Sequence, residues 1–194
     1  MNPPSRRVVA LGLAAVLVTA VLLGAADVSA ATSEAATGTT VAVSSTNGAA
    51  AALDGELLLY VHGEAPEELV TGLVAAFGER GVTVELVDEL DPHHDTPVAA
   101  LAVDDWQLGW RVVTADADVT WRLLYSPGNT TSFEGLLAGD TAVTLTDENP
   151  YVLEGTFHTT DRTTGVVSWP AHQRGVAERS ADAAVEALWQ QLDA

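Results

Sequence analysis

Cysteine and lysine are both missing altogether from these 194 residues. Without cysteine there is no disulfide, no thiolate nucleophile, no cysteine-held metal and no cysteine to carry a lipid. Without lysine, all eight basic residues are arginine, set against 27 acids. Every acid lies at or beyond Asp27, where only six arginines remain, so that part of the chain carries a net charge of −21. Such a field repels phosphate, which makes nucleic acid and anionic lipid poor partners. At 47% hydrophobic residues the chain still has enough apolar material for a core, which separates it from a disordered acidic tail.

Catalytic signatures are missing as well. There is no G-x-S-x-G elbow, no phosphate-binding loop, no G-x-G-x-x-G and no H-E-x-x-H. Paired carboxylates cannot be singled out, because so many acids make chance pairs inevitable. Surplus carboxylates do bind hydrated cations and keep a protein soluble in concentrated salt. In this the composition resembles secreted proteins of salt-loving archaea, with an acidic protein from a GC-rich mesophile as the alternative.

What is present begins with Arg6 and Arg7, followed by an uncharged run from Val8 to Ala26. The arginines stay cytoplasmic and direct everything after the run across the membrane. As a signal peptide, the segment offers the small-x-small site Val28-Ser29-Ala30, and Ser5-Arg6-Arg7 loosely resembles a twin-arginine signal. As a retained helix, the run spans roughly 28 Å, close to the hydrocarbon thickness of a bilayer. Its length favours the anchor. Residues 1–30 are therefore a signal peptide or membrane anchor, with the body outside the cytoplasm. Residues 31–53, small and hydroxylated, read as a flexible stalk.

Residues 54–194 read as one α+β domain. "ELLLYVHG" has strand length, and "APEELVTGLVAAFGERG" places Leu69, Val70, Leu73, Val74 and Phe77 on one helical face. "VTVELV" is a second strand. Long strands follow from Val98, with a turn expected at "ADAD", residues 115–118, and further strands at 141–147 and 151–159. An even turn centred on Asp116-Ala117 would set Arg111 opposite Arg122. In "TTDRTTGVVSW", Asp161 and Gly165 read as hairpin-turn chemistry, with Arg162 and Thr163 facing solvent. Trp169-Pro170 then leads into a last helix with an Ala177, Ala181, Val185, Leu188 and Leu192 stripe. The expected architecture is two layers: a mostly antiparallel sheet with helices on one face.

Asp161, Thr164, Gly165 and Trp169 ahead of an Ala-rich last helix, together with the "EELVTGLVAAF" helix, carry a family likeness. From Glu56 to Leu192 the chain resembles envelope-accessory domains of the curli-secretion lipoprotein type. The N-terminal domain of the Tol-system propeller protein and ABC-transporter auxiliary lipoproteins are of the same kind. The resemblance implies a non-catalytic protein that docks onto envelope partners. The lipidated cysteine of those lipoproteins is absent here.

Among the candidate sites, "DPHHD" gathers the metal-ligand types Asp91, His93, His94 and Asp95, without the third ligand at defined spacing that zinc sites use. A polar loop bracketed by Pro92 and Pro97 is the plainer reading. Arg111 and Arg122, facing each other, would form either a surface ion-paired with Asp104 or Asp105 or a spot that binds an anion or a partner. Asn129 lies in an N-x-T sequon within a Pro-Gly turn. Trp110 and Trp121 read as core rather than as a sugar-stacking platform. The expectation is an exported, membrane-tethered, non-enzymatic accessory or binding protein, without a cofactor, whose partner is an envelope or transporter protein. The alternatives are a secreted metal-dependent hydrolase built on His93 and His94, and a structural cell-surface subunit.

Overall fold

The computed structural model describes residues 29–45, 53, 55–91, 96–111, 113–128, 130–139 and 151–192. The run from Val8 to Ala26, His93, His94, Asp95, Asn129 and the strand expected at 141–147 lie outside them. Among the described residues no helix is long and apolar enough to cross a membrane.

The first half of the body is a β-α-β unit. Strand β2 (Gly55–His62) buries Leu57, Leu58 and Leu59 in succession, the pattern of a strand covered on both faces. Helix α1 (Glu67–Glu79) follows Pro66, with Glu67 and Glu68 in its first turn at the positive end of the helix dipole. It lays Leu69, Leu73, Ala76 and Phe77 against the core. Gly81, at a φ of 82°, reverses the chain just past its end, a conformation that favours glycine. Strand β3 (Val82–Val87) then pairs parallel to β2.

Strand β4 (Val98–Arg111) pairs parallel to β2 and antiparallel to β5 (Thr114–Ser126), which pairs antiparallel to β6 (Tyr151–Val167). Strand β1 (Ser29–Ser45) pairs antiparallel with β6 along its whole length. The sheet order is β1-β6-β5-β4-β2-β3, mixed but with three antiparallel pairings against two parallel ones. Residues 31–45 are thus not a free stalk. They form an edge strand, and the sheet begins at Ser29 rather than near residue 54.

Helix α3 (Trp169–Leu192) shares one sheet face with α1. Between them lies the main core, with Trp121, Tyr125 and Phe157 at its centre and the Trp121 and Phe157 rings 4.8 Å apart. Ser168 starts α3 by accepting the Ala171 N–H on its hydroxyl, 3.3 Å away. Gly72 lets the two helices meet closely: a Cβ there would lie 3.3 Å from that of Ala181 and 3.4 Å from the Ala177 carbonyl oxygen. Arg80 closes the far end of the pair, bonded to Glu186 at 2.6 Å and stacked over Trp189. Hydrogen bonds from Gln190 and Arg80 hold the Glu186 carboxyl below its ordinary pKa.

Helices do not cover one face alone. A short helix α2 (Phe133–Leu137) packs Phe133, Leu136 and Leu137 on the opposite face, over Val98, Ala100, Leu124 and Val152. At the β1-β6 end that second face is open: Glu34, Thr160, Arg162 and Thr164 are exposed there.

Candidate functional site

Polar groups gather at two places, one beneath α3 and one on the open face. The first is built from the segment that reads as a turn in sequence. Residues 159–165 are instead the middle of β6, and strand alternation sends Thr159, Asp161 and Thr163 inward and Thr160, Arg162 and Thr164 outward. Thr163 is therefore buried rather than facing solvent. Gly165 does take a positive φ, 121°, within the strand.

The Asp161 side chain has no solvent exposure, and four partners surround it. Arg179 of α3 reaches Oδ2 at 2.6 Å, Thr163 donates to Oδ2 at 3.2 Å, and the Ser33 hydroxyl of β1 donates to Oδ1. His172, also buried, holds Nδ1 3.9 Å from Oδ2, beyond hydrogen-bond reach, while its Nε2 sits 3.1 Å from the Asp116 carbonyl. A cavity of about 70 Å³ lies among Ser33, Thr163, His172 and Arg179. One layer along, Thr159 bonds both Thr37 of β1 at 3.2 Å and Ser180 of α3 at 3.0 Å.

A serine, a histidine and an aspartate thus meet, but in the wrong order for nucleophilic catalysis. Ser33 bonds the carboxylate directly, and the imidazole bonds neither the serine nor the aspartate. What the cluster can do is satisfy a buried charge while joining β1, β6 and α3.

On the open face, Glu34, Arg162 and Asp116 stand side by side across β1, β6 and β5, with Gly109 next in the row. The Asp116 carboxylate lies over Gly109, in the space a Cβ there would take, 2.5 Å away. These residues, with Asp118 and Gln107, line an open trough of about 600 Å³. Two rows on, His158 Nδ1 meets the Thr120 hydroxyl at 3.0 Å and lies 3.6 Å from Asp118. Both neighbours use the same ring nitrogen, so no proton relay runs through it.

The arginine pair expected from sequence does not form. Arg111 pairs with Thr114, so residues 115–118 belong to β5 rather than to a turn, and Arg122 lies across from Ala102. The "ADAD" segment continues β5 because Ala115 and Ala117 are buried, with Ala117 and Val119 against Val176 of α3. Only small side chains fit under that crossing, and they give no hydrophobic signal. Arg122 binds Asp104 at 2.9 Å and donates to the carbonyls of Leu136 and Leu137 at the end of α2. Arg111 is exposed beside the turn. Of the "DPHHD" residues only Asp91 is described; its carbonyl accepts a bond from Thr130 at 3.0 Å. Among the described residues no three His, Asp or Glu side chains gather to hold a metal. Trp121 is core, whereas Trp110 is half-buried and donates to the Val167 carbonyl at 2.8 Å.

No family model matches the chain, and no curated protein does. Among solved structures it is similar to a point variant of the PelC dodecamer from Paraburkholderia phytofirmans. That chain is 14% identical, the alignment covers 74% of this chain and 95% of that one, and the TM-score is 0.26. A second structure of the PelC dodecamer from the same organism is 11% identical over 74% and 96% of the two chains, with a TM-score of 0.27. A superposition that loose fixes neither a family nor an assembly.

Proposed function

We propose that the protein is an exported, membrane-tethered accessory or binding protein of the cell envelope, non-catalytic and adapted to salt, with its body on the extracellular side. The observation that carries this reading is the arginine pair and the uncharged run from Val8 to Ala26, two residues ahead of the first strand. The net −21 beyond the run supports a salt-rich exterior. The likeness to envelope-accessory domains gives the partner class: an envelope or transporter protein. The buried assembly supports the non-catalytic part, since Ser33 bonds the carboxylate and not the imidazole, an order that does not activate its hydroxyl.

Cross-linking in molar salt, with the full chain as bait, tests the accessory role. Recurrent capture of one envelope or transporter protein is expected; capture of none would oppose it. Metal analysis tests the rival hydrolase: stoichiometric zinc that disappears when His93 and His94 are both changed to Ala would replace the binding reading with an enzymatic one.

A further inference from the structure

We propose that the end of the sheet where β1 begins rests on the lipid surface, as the membrane-facing end of the body. The inference rests on the tether reading above. Asp27 and Val28 alone separate the uncharged run from Ser29, the first residue of β1. Three Cα steps reach at most about 11 Å, so a retained run holds this end of the sheet at the interface.

The residues gathered at that end suit such a place. The pairings Ser29 with Val167 and Arg111 with Thr114, and the Gly165 N–H bond to the Val113 carbonyl, bring three segments together. These are residues 29–32, 110–111 with 113–115, and 164–171; they contain no Asp or Glu and one cation, Arg111, the nearest acids being Asp27 ahead of β1 and Glu34 and Asp116 in the row of Arg162. In a body of net −21 that is the composition least repelled by lipid headgroups. Acids lie at the opposite end, at Glu56 and at Glu154, which is level with Leu124 and Ala100.

The same end carries apolar side chains that the core does not use. Val113 is 57% exposed, one of two large hydrophobic residues so open among the described residues. Trp110 and Trp169 belong to the same end, both half-buried, and the Trp110 indole is fixed to the Val167 carbonyl. Tryptophan with one side on protein and the other open is the residue favoured at a membrane interface. The other exposed large hydrophobe, Leu86, lies level with Leu59 and Ala99. That is twelve residues back along β4 from Arg111, or roughly 40 Å away at the rise of a strand.

The absence of native cysteine makes the test direct. Full-length V113C and L86C, each carrying an environment-sensitive dye, are reconstituted into vesicles of equal parts phosphatidylcholine and phosphatidylglycerol in molar salt. Matched vesicles carry brominated acyl chains. The chain is expected to float with the vesicles. The dye at 113 should shift to the blue and lose at least half its emission to the brominated lipid, while the dye at 86 does neither. Flotation with no lipid quenching at 113 overturns the proposal and leaves the tether standing. Shielding at 113 from an aqueous quencher without lipid quenching means that a protein covers this end, and overturns it too. Equal quenching at both sites contradicts an oriented body. Failure to float removes the tether, and this proposal with it.

Discussion

Asp161 is a carboxylate with no exposure, and its cost of burial is met by Arg179, Ser33 and Thr163. Removing the charge leaves the guanidinium without its partner. Asp161→Asn is expected to lower stability by about 3 kcal/mol, whereas Asp116→Asn, on the open face, changes it by less than about 0.5 kcal/mol. Urea unfolding in molar salt measures both, and similar midpoints for the two variants would contradict the buried-carboxylate account. The arginines make a second contrast. Arg122, itself largely buried, holds the exposed Asp104 and two helix-end carbonyls, so Arg122→Gln should cost roughly 1–2 kcal/mol. Arg111→Gln should cost less than about 0.5 kcal/mol, because the side chain is exposed. The register sets them far apart along the hairpin, so the double variant should be additive within about 0.5 kcal/mol. A larger coupling energy would mean that the two do meet.

At the scale of elements, β1 depends on polar bonds more than on apolar burial. Ser33 and Thr37 bond the buried row of β6, while residues 32–36 of β1 are exposed. Ser33→Ala should therefore speed amide exchange along β1 while leaving β4 and β5 protected; uniform loss of protection would show that β1 is no separate unit. The α1–α3 contact is tighter. Gly72→Val places methyl groups where Ala181 already sits, and should destabilise by about 2 kcal/mol. These differences track what a sequence can display. β2, α1 and β3 were legible because leucine runs, a five-residue helical stripe and Gly81 carry strong local signals. The inward row Thr159, Asp161 and Thr163 was not, because polar residues at a period of two look like a turn until Arg179 and Ser180 arrive from another element. For the same reason the small pair Ala115 and Ala117 hid the start of β5: residues 115–118, expected as a turn, are strand. The edge strand was harder still: apart from alanines only Val41 and Val43 in it are apolar, and its pairing partner is more than a hundred residues away.

For the whole molecule, charge governs. A body at −21 with six arginines repels itself, and screening relieves that repulsion. Unfolding midpoints followed from molar salt down to ~0.1 M, where the Debye length is about 10 Å, should fall. A flat or rising midpoint would refute salt adaptation. The acidity was readable in the sequence, since it is a matter of composition; the acid-poor end was not, because it unites three segments that only the sheet register brings together. The central claim is that the body is held outside the membrane by an uncleaved run. It is tested most directly in cells expressing the full chain, by external protease digestion followed by alkaline extraction of the membranes and mass measurement of what remains. The account predicts that the body is digested from outside and that a fragment containing Val8 to Ala26 stays in the extracted membranes. A body protected from the protease, or an intact protein in the medium beginning at Ala31, would contradict it.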